Sequence, residues 1–134
     1  AISTSSYRMR GFDPGLVWFF VTLTGNGSLA KAEEILHGEI ARIAKDGPTD
    51  AELSKAKNIR LADYWRGMET INGKASALGE YEVFQGGYMK LFAAPKQFEA
   101  VTAKQVREVA AKYFKPDNRT VGWLVPEAAK EAGR

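Results

Sequence analysis

Cysteine is absent from all 134 residues and histidine occurs once. The first absence excludes disulfides and thiolate–metal sites, but leaves the compartment open, because many exported proteins also lack cysteine. The second leaves little room for imidazole chemistry. No apolar run approaches the ~20 residues of a membrane-spanning helix. The N-terminus lacks the basic-then-apolar pattern of a signal peptide, although a larger parent chain could carry one upstream. There is also no excess of one charge. Lys and Arg number 19 against 16 Asp and Glu, a net +3. That balance is too small and too evenly spread to indicate nucleic acid, and no basic run is interleaved with aromatics. Internal repeats and low-complexity stretches are absent too.

What is present is an ordinary globular composition, 45% hydrophobic and 26% charged, which argues against disorder except at the ends. A chain of this length suits one domain and can bury roughly two thirds of its unfolded surface. The densest stretch is Leu16 to Thr24, LVWFFVTLT. Both of its alternating sets are apolar, Leu16, Trp18 and Phe20 against Val17, Phe19 and Val21. This predicts a central strand buried on both faces, with each such side chain contributing ~1.5–3 kcal/mol. Ala1 to Phe12 alternates more loosely and predicts a half-exposed strand. Asp13-Pro14-Gly15 supplies the turn of an antiparallel hairpin.

Helices follow. Gly25-Asn26-Gly27 ends the strand and Ser28 caps a helix to Lys45, with Leu29, Ala32, Leu36, Ile40 and Ile43 on one face. Asp46-Gly47-Pro48 terminates it. Thr49 and Glu52 then form a capping box for a helix from Asp50 to about Met68, which carries Leu53, Lys57, Leu61, Tyr64 and Met68 down one side. Glu69 to Phe84 predicts a third helix, begun or interrupted near Asn72-Gly73, with Ala75, Leu78, Tyr81 and Val83 to bury. Gly86-Gly87 stops it. Tyr88 to Ala94 predicts a short helix broken at Pro95. Thr102 caps a last helix whose face holds Val106, Val109, Ala110, Tyr113 and Phe114. After the turn at Lys115-Pro116-Asp117-Asn118, Arg119 to Val125 alternates as a C-terminal strand. The order strand, strand, helices, strand predicts an α+β fold with a mostly antiparallel sheet. One domain over 1–126 and a tail over 127–134 complete it.

Catalytic groups are scarce. His37 has alanine four residues on, so no pair of metal-binding histidines spans a helical turn, and it reads as a surface residue. Glu33 and Glu34 are adjacent, and Glu80 and Glu82 are two apart. Neither pair faces itself across a helix, so both read as solvated faces. Gly25-Asn26-Gly27-Ser28 joins a strand to a helix start, where anions can bind, but it lacks the P-loop lysine and the dinucleotide spacing and reads as a tight turn. Ser28 has no histidine base nearby. Lys55, Lys57 and Arg60 form a basic helix face of the ordinary solvated kind. No catalytic or metal residue is assigned.

Four blocks, in order, carry a likeness to a known family: DPGLVWFFVTLTGNGSL from Asp13, DGPTDAELSKAKN from Asp46, ASALGEYEVFQGG from Ala75, and VTAKQVREVAAKYFKPDNRTVGWLVPE from Val101. The chain resembles the C-terminal half of a non-zinc domain of the insulinase-like zinc metallopeptidases, the family of pitrilysin and mitochondrial processing peptidase. The likeness covers nearly everything from Asp13 onward. It implies half of a domain built as an antiparallel sheet, two N-terminal strands and one C-terminal strand here, with a layer of helices on one face. Two such domains close into a chamber around an unfolded peptide. The family's inverted zinc motif has no counterpart in these residues. Its substrate-gripping tyrosine would fall at about Ala1 and its arginine upstream, so neither is assigned.

The resemblance therefore implies a wall-and-scaffold part of a zinc metalloendopeptidase, inactive alone, with zinc held in the parent or a partner domain. The partner would be the remainder of the parent peptidase, a zinc-bearing chain or a second copy, with peptide as substrate of the assembly. A non-catalytic assembly subunit of the same fold, like the core subunits of respiratory complexes, is the alternative. A nucleic-acid-binding role would rest on net charge alone. The resemblance also implies sheet edge and apolar surface left for a partner to cover.

Overall fold

A computed structural model describes residues 1–9 and 11–125. The tail expected over 127–134 lies outside the described residues. The elements run β1 (Ser3–Arg8), β2 (Val17–Thr22), α1 (Leu29–Asp46), α2 (Asp50–Gly67), α3 (Ile71–Gln85), α4 (Lys90–Ala100) and α5 (Ala103–Tyr113), followed by a single 3-10 turn at Pro116–Asn118. The fold is α+β, five helices beside an antiparallel hairpin.

The hairpin pairs Ser3 with Thr22 and Arg8 with Val17. In that register Tyr7 stands opposite Trp18 and Ser5 opposite Phe20 on one face. Ser6 opposite Phe19 and Arg8 opposite Val17 lie on the other. Helix starts follow the sequence closely. Ser28 Oγ accepts from the Lys31 N–H, and Thr49 and Thr102 each form a reciprocal box with Glu52 and Gln105. Each box satisfies donors that the first helical turn leaves orphaned. The α1 set Leu29, Ala32, Leu36, Ile40 and Ile43 and the α2 set Leu53, Lys57, Leu61, Tyr64 and Met68 are all half-buried, as their periodicity predicts.

Four expectations need correction. The run in β2 is not the core: five of its six residues are exposed and only Val21 is half-buried. A strand apolar on both faces is buried only if both faces are covered, and the described helices leave most of this one open. Full burial is instead found at Leu91 and Ala94 of α4 and Ala110 of α5. α1 packs mainly on α5, and α4 touches both α2 and α3.

The second correction concerns Pro95, which lies within one continuous α4 rather than breaking it. Proline removes the N–H that would reach the carbonyl four residues earlier, here that of Leu91. The Tyr64 hydroxyl from α2 donates to that carbonyl at 3.2 Å. A tertiary hydrogen bond thus replaces the missing helical one.

Third, α3 begins at Ile71, capped by Thr70, whose side chain accepts from the Gly73 N–H. Gly73 is therefore first-turn structure, so of the two expectations the helix begins near Asn72-Gly73 and is not interrupted there. A methyl there would collide with the Gly67 carbonyl oxygen at the end of α2, so glycine permits the close approach of the two helices. Ala75 and Val83, assigned to its buried face, are exposed, while Leu78 and Tyr81 are half-buried.

Fourth, Arg119 to Val125 forms no strand among the described residues. Arg119 has extended backbone, φ −141° and ψ 151°, but extended residues become a strand only by pairing. The described sheet consists of β1 and β2 alone. Val121, Trp123 and Leu124 are accordingly exposed. No described helix is long and apolar enough to cross a membrane.

Candidate functional site

The two faces of the hairpin differ in what they meet. Phe19 turns its edge to the Phe114 ring just beyond α5, with centroids 5.6 Å apart at 72°. That is the helix side, and it includes a cleft bordered by Arg8 and, from α2, Arg60. On the opposite face Tyr7, Trp18 and Phe20 form a near-parallel stack. Their centroids lie 6.3 Å apart for Tyr7–Trp18, 6.0 Å for Tyr7–Phe20 and 5.8 Å for Trp18–Phe20. Direct and diagonal cross-strand neighbours stand close enough for such contacts. The stack remains open, with Trp18 38% and Phe20 46% exposed. An aromatic patch of this kind is characteristic of a surface that another molecule covers.

The groups scanned for chemistry do not converge. His37 Nδ1 lies 3.7 Å from Glu33 Oε1 one helical turn away, both on α1. Glu34 pairs with Lys31 on the same helix. Glu82 accepts the Tyr88 N–H at 2.8 Å, fixing the loop after α3, and Glu80 is on α3 as well. The Gly25-Asn26-Gly27 turn closes with a Gly27 N–H to Thr24 carbonyl bond of 2.8 Å, and Ser28 is spent as the α1 cap. The basic face of α2 is divided: Lys57 Nζ donates to the Glu99 carbonyl at 2.7 Å, Arg60 lies over the Phe98 ring at 5.3 Å, and Lys55 borders a shallow depression along α2. Among the described residues no group of three or more His, Asp or Glu could hold a metal. The residues present therefore do not fit a zinc, and no step through one is assigned to them.

One charged network joins α1 to α2. Arg42 donates to Glu39 at 3.0 Å and to Glu52 at 2.7 Å. The Thr49 backbone N–H, then the Arg42 guanidinium and the Thr49 hydroxyl, hold the Glu52 carboxyl below its ordinary value of 4.5. A carboxyl whose folded value is depressed stabilises the fold above its unfolded value, and that contribution is lost as pH falls through the folded value. Wild type should therefore lose stability relative to Glu52→Gln on acidification below the ordinary value, read as converging thermal midpoints. Parallel pH profiles would contradict the network. Thr49→Ala, which removes the cap oxygen, should cost about 1 kcal/mol in urea unfolding at neutral pH.

Sequence reasoning missed two contributors, Tyr64 as donor to Leu91 and Arg60 as a stacked cation, because each acts through a partner far away in sequence. The separation of the hairpin faces was expected, since one face of Leu16 to Thr24 should meet the helices and the other a chamber or a partner.

A two-stranded antiparallel hairpin beside five helices defines an α+β fold. The comparisons with known proteins agree. In sequence, the chain is 26% identical over 117 residues to the uncharacterized zinc protease YmxG of Bacillus subtilis (strain 168), a match over 87% of this chain and 28% of that protein. The chain thus spans less than a third of that relative. In fold it matches the inactive peptidase domain of a candidate zinc protease from Bordetella parapertussis, with TM-score 0.77 and 22% identity over 92% of this chain and 65% of that one. A candidate zinc protease from Bordetella pertussis Tohama I matches with TM-score 0.76 and 22% identity, over 92% of this chain and 68% of that one. No protein-family model matches. These findings bear out the resemblance to zinc proteases.

Proposed function

We propose that this chain is a non-catalytic wall and scaffold part of an insulinase-like zinc metalloendopeptidase. The observation that carries this reading is the open Tyr7–Trp18–Phe20 stack on the hairpin face opposite Phe19. An aromatic sheet face suits the lining of a chamber that holds an unfolded peptide, because it offers apolar contact without demanding one sequence. The fold shared with an inactive peptidase domain supports the same reading. Zinc, with a glutamate base activating its bound water, would reside in the parent or a partner domain and supply the hydrolytic chemistry there. This chain would contribute packing and surface. We propose the single domain over 1–126 as the unit that does so.

Purified chain incubated with an unfolded peptide and added zinc is expected to give no cleavage. A chelator-sensitive turnover retained through repeated purification would overturn the wall reading. Mixed with the remainder of its parent or a zinc-bearing partner, the chain is expected to restore turnover. Replacing Trp18 and Phe20 by serine should then weaken peptide capture, seen as a raised KM, more than it alters kcat.

A further inference from the structure

The cleft on the helix side of the hairpin is bordered by Ser6, Tyr7, Arg8 and Val17 from the sheet and by Arg60 from α2; it is open to solvent, with a volume of about 500 Å³. Two of its five lining residues are arginines and none is acidic. Arg8 and Arg60 make no ion pair among the described residues. The Arg60 guanidinium lies over the Phe98 ring, 5.3 Å from its centroid, a contact that holds a weakly hydrated cation without neutralising it. Two like charges bordering one cleft repel each other, and an anion placed between them turns that repulsion into attraction. The planar fork of arginine matches a carboxylate in particular.

The surroundings suggest what carries the carboxylate. Among the described residues β1 pairs only with β2, so within them its outer edge presents unpaired main-chain groups to an incoming chain. Ser6, Tyr7 and Arg8 all belong to that strand. A polypeptide laid along this edge would gain main-chain hydrogen bonds from β1 while bringing a side chain to the two arginines. We propose that the Arg8–Arg60 cleft is a docking site for an acidic side chain of a polypeptide segment that runs along the open edge of β1. This goes beyond the chamber-wall reading and uses the other face of the hairpin, so either can fail without the other.

The test is a titration of the full chain, followed by NMR at the arginine Nε–Hε groups, with acetyl-Gly-Glu-Gly-amide at fixed ionic strength. Acetyl-Gly-Gln-Gly-amide and inorganic phosphate serve as parallel probes. Saturable shifts at Arg8 and Arg60 with the glutamate peptide only are the expected result. Arg8→Gln, an exposed strand substitution, should weaken binding about fivefold, the upper end for an exposed ion pair. Arg60→Lys keeps the charge and should retain part of the affinity. Equal shifts with the glutamine peptide would overturn the proposal. So would saturation by phosphate alone, which would mark a free-anion site, or an unchanged affinity in Arg8→Gln.

Discussion

Leu91→Ala is expected to destabilise the chain by about 2–5 kcal/mol, the range for emptying a well-packed leucine site. Leu91 is 1% exposed and is the one large side chain that is fully buried among the described residues. It lies on α4, the helix that contacts both α2 and α3. Removing its side chain leaves a cavity where three helices meet, and among the described residues only Ala94 and Ala110 join it as buried hydrophobic side chains. With domain stabilities of about 5–15 kcal/mol, the loss would be a large fraction of the total. Urea unfolding gives the measurement, as a lowered midpoint at unchanged slope. Trp18→Ala provides the contrast. Trp18 is larger, but it is 38% exposed on the open hairpin face, so its removal should cost the isolated chain less than Leu91→Ala. A reversed order would mean that the hairpin, not α4, is the centre of the core.

Tyr64→Phe carries the second large effect, about 1–3 kcal/mol, because it leaves the Leu91 carbonyl with neither a helical nor a tertiary donor. Pro95 is the reason no helical donor exists. The two positions should therefore be coupled. Pro95→Ala restores an N–H four residues after Leu91, so Tyr64→Phe should cost less in that background, and the double-mutant cycle should give a clear interaction energy. Additive costs would show that the hydroxyl matters for packing alone. The same residue sets an alkaline limit. Burial, then the neighbouring Tyr81, raise the Tyr64 phenol above its ordinary value of 10.0. A raised acid favours the neutral form when folded, so its contribution holds below the unfolded value. It is lost as pH rises from there through the folded value. Tyr64→Phe should remove that part of the alkaline destabilisation.

Much of this molecule was legible in local chemistry. The caps at Ser28, Thr49 and Thr102 are decided by a side chain and the N–H groups of the next turn. The stop at Gly86 rests on a left-handed backbone, φ 73° and ψ 37°, that glycine adopts without strain. The amphipathic faces of α1 and α2 followed from the helical period alone. α3 was less legible. Its hydrophobic residues are spread around the helix, so the pattern did not say which of Leu78, Tyr81, Ala75 and Val83 would be covered. Pro95 misled for a definite reason. The rule that proline breaks a helix counts only the local hydrogen bond, and Tyr64, 27 residues away from Leu91 in sequence, supplies another.

The sequence by itself determined the helix caps at Ser28, Thr49 and Thr102, the hairpin and the α+β class, since each depends on residues within a few positions of one another. Tertiary structure alone decided the rest. Apolar alternation marks Leu16 to Thr24 as able to be buried, but burial requires a second surface, and here Phe19 meets the edge of the Phe114 ring yet stays as exposed as Trp18, with Phe20 open too. The same holds for Arg119 to Val125, which has the composition of a strand and, among the described residues, no neighbour to pair with. Propensity belongs to a segment, whereas burial and pairing belong to two segments in contact.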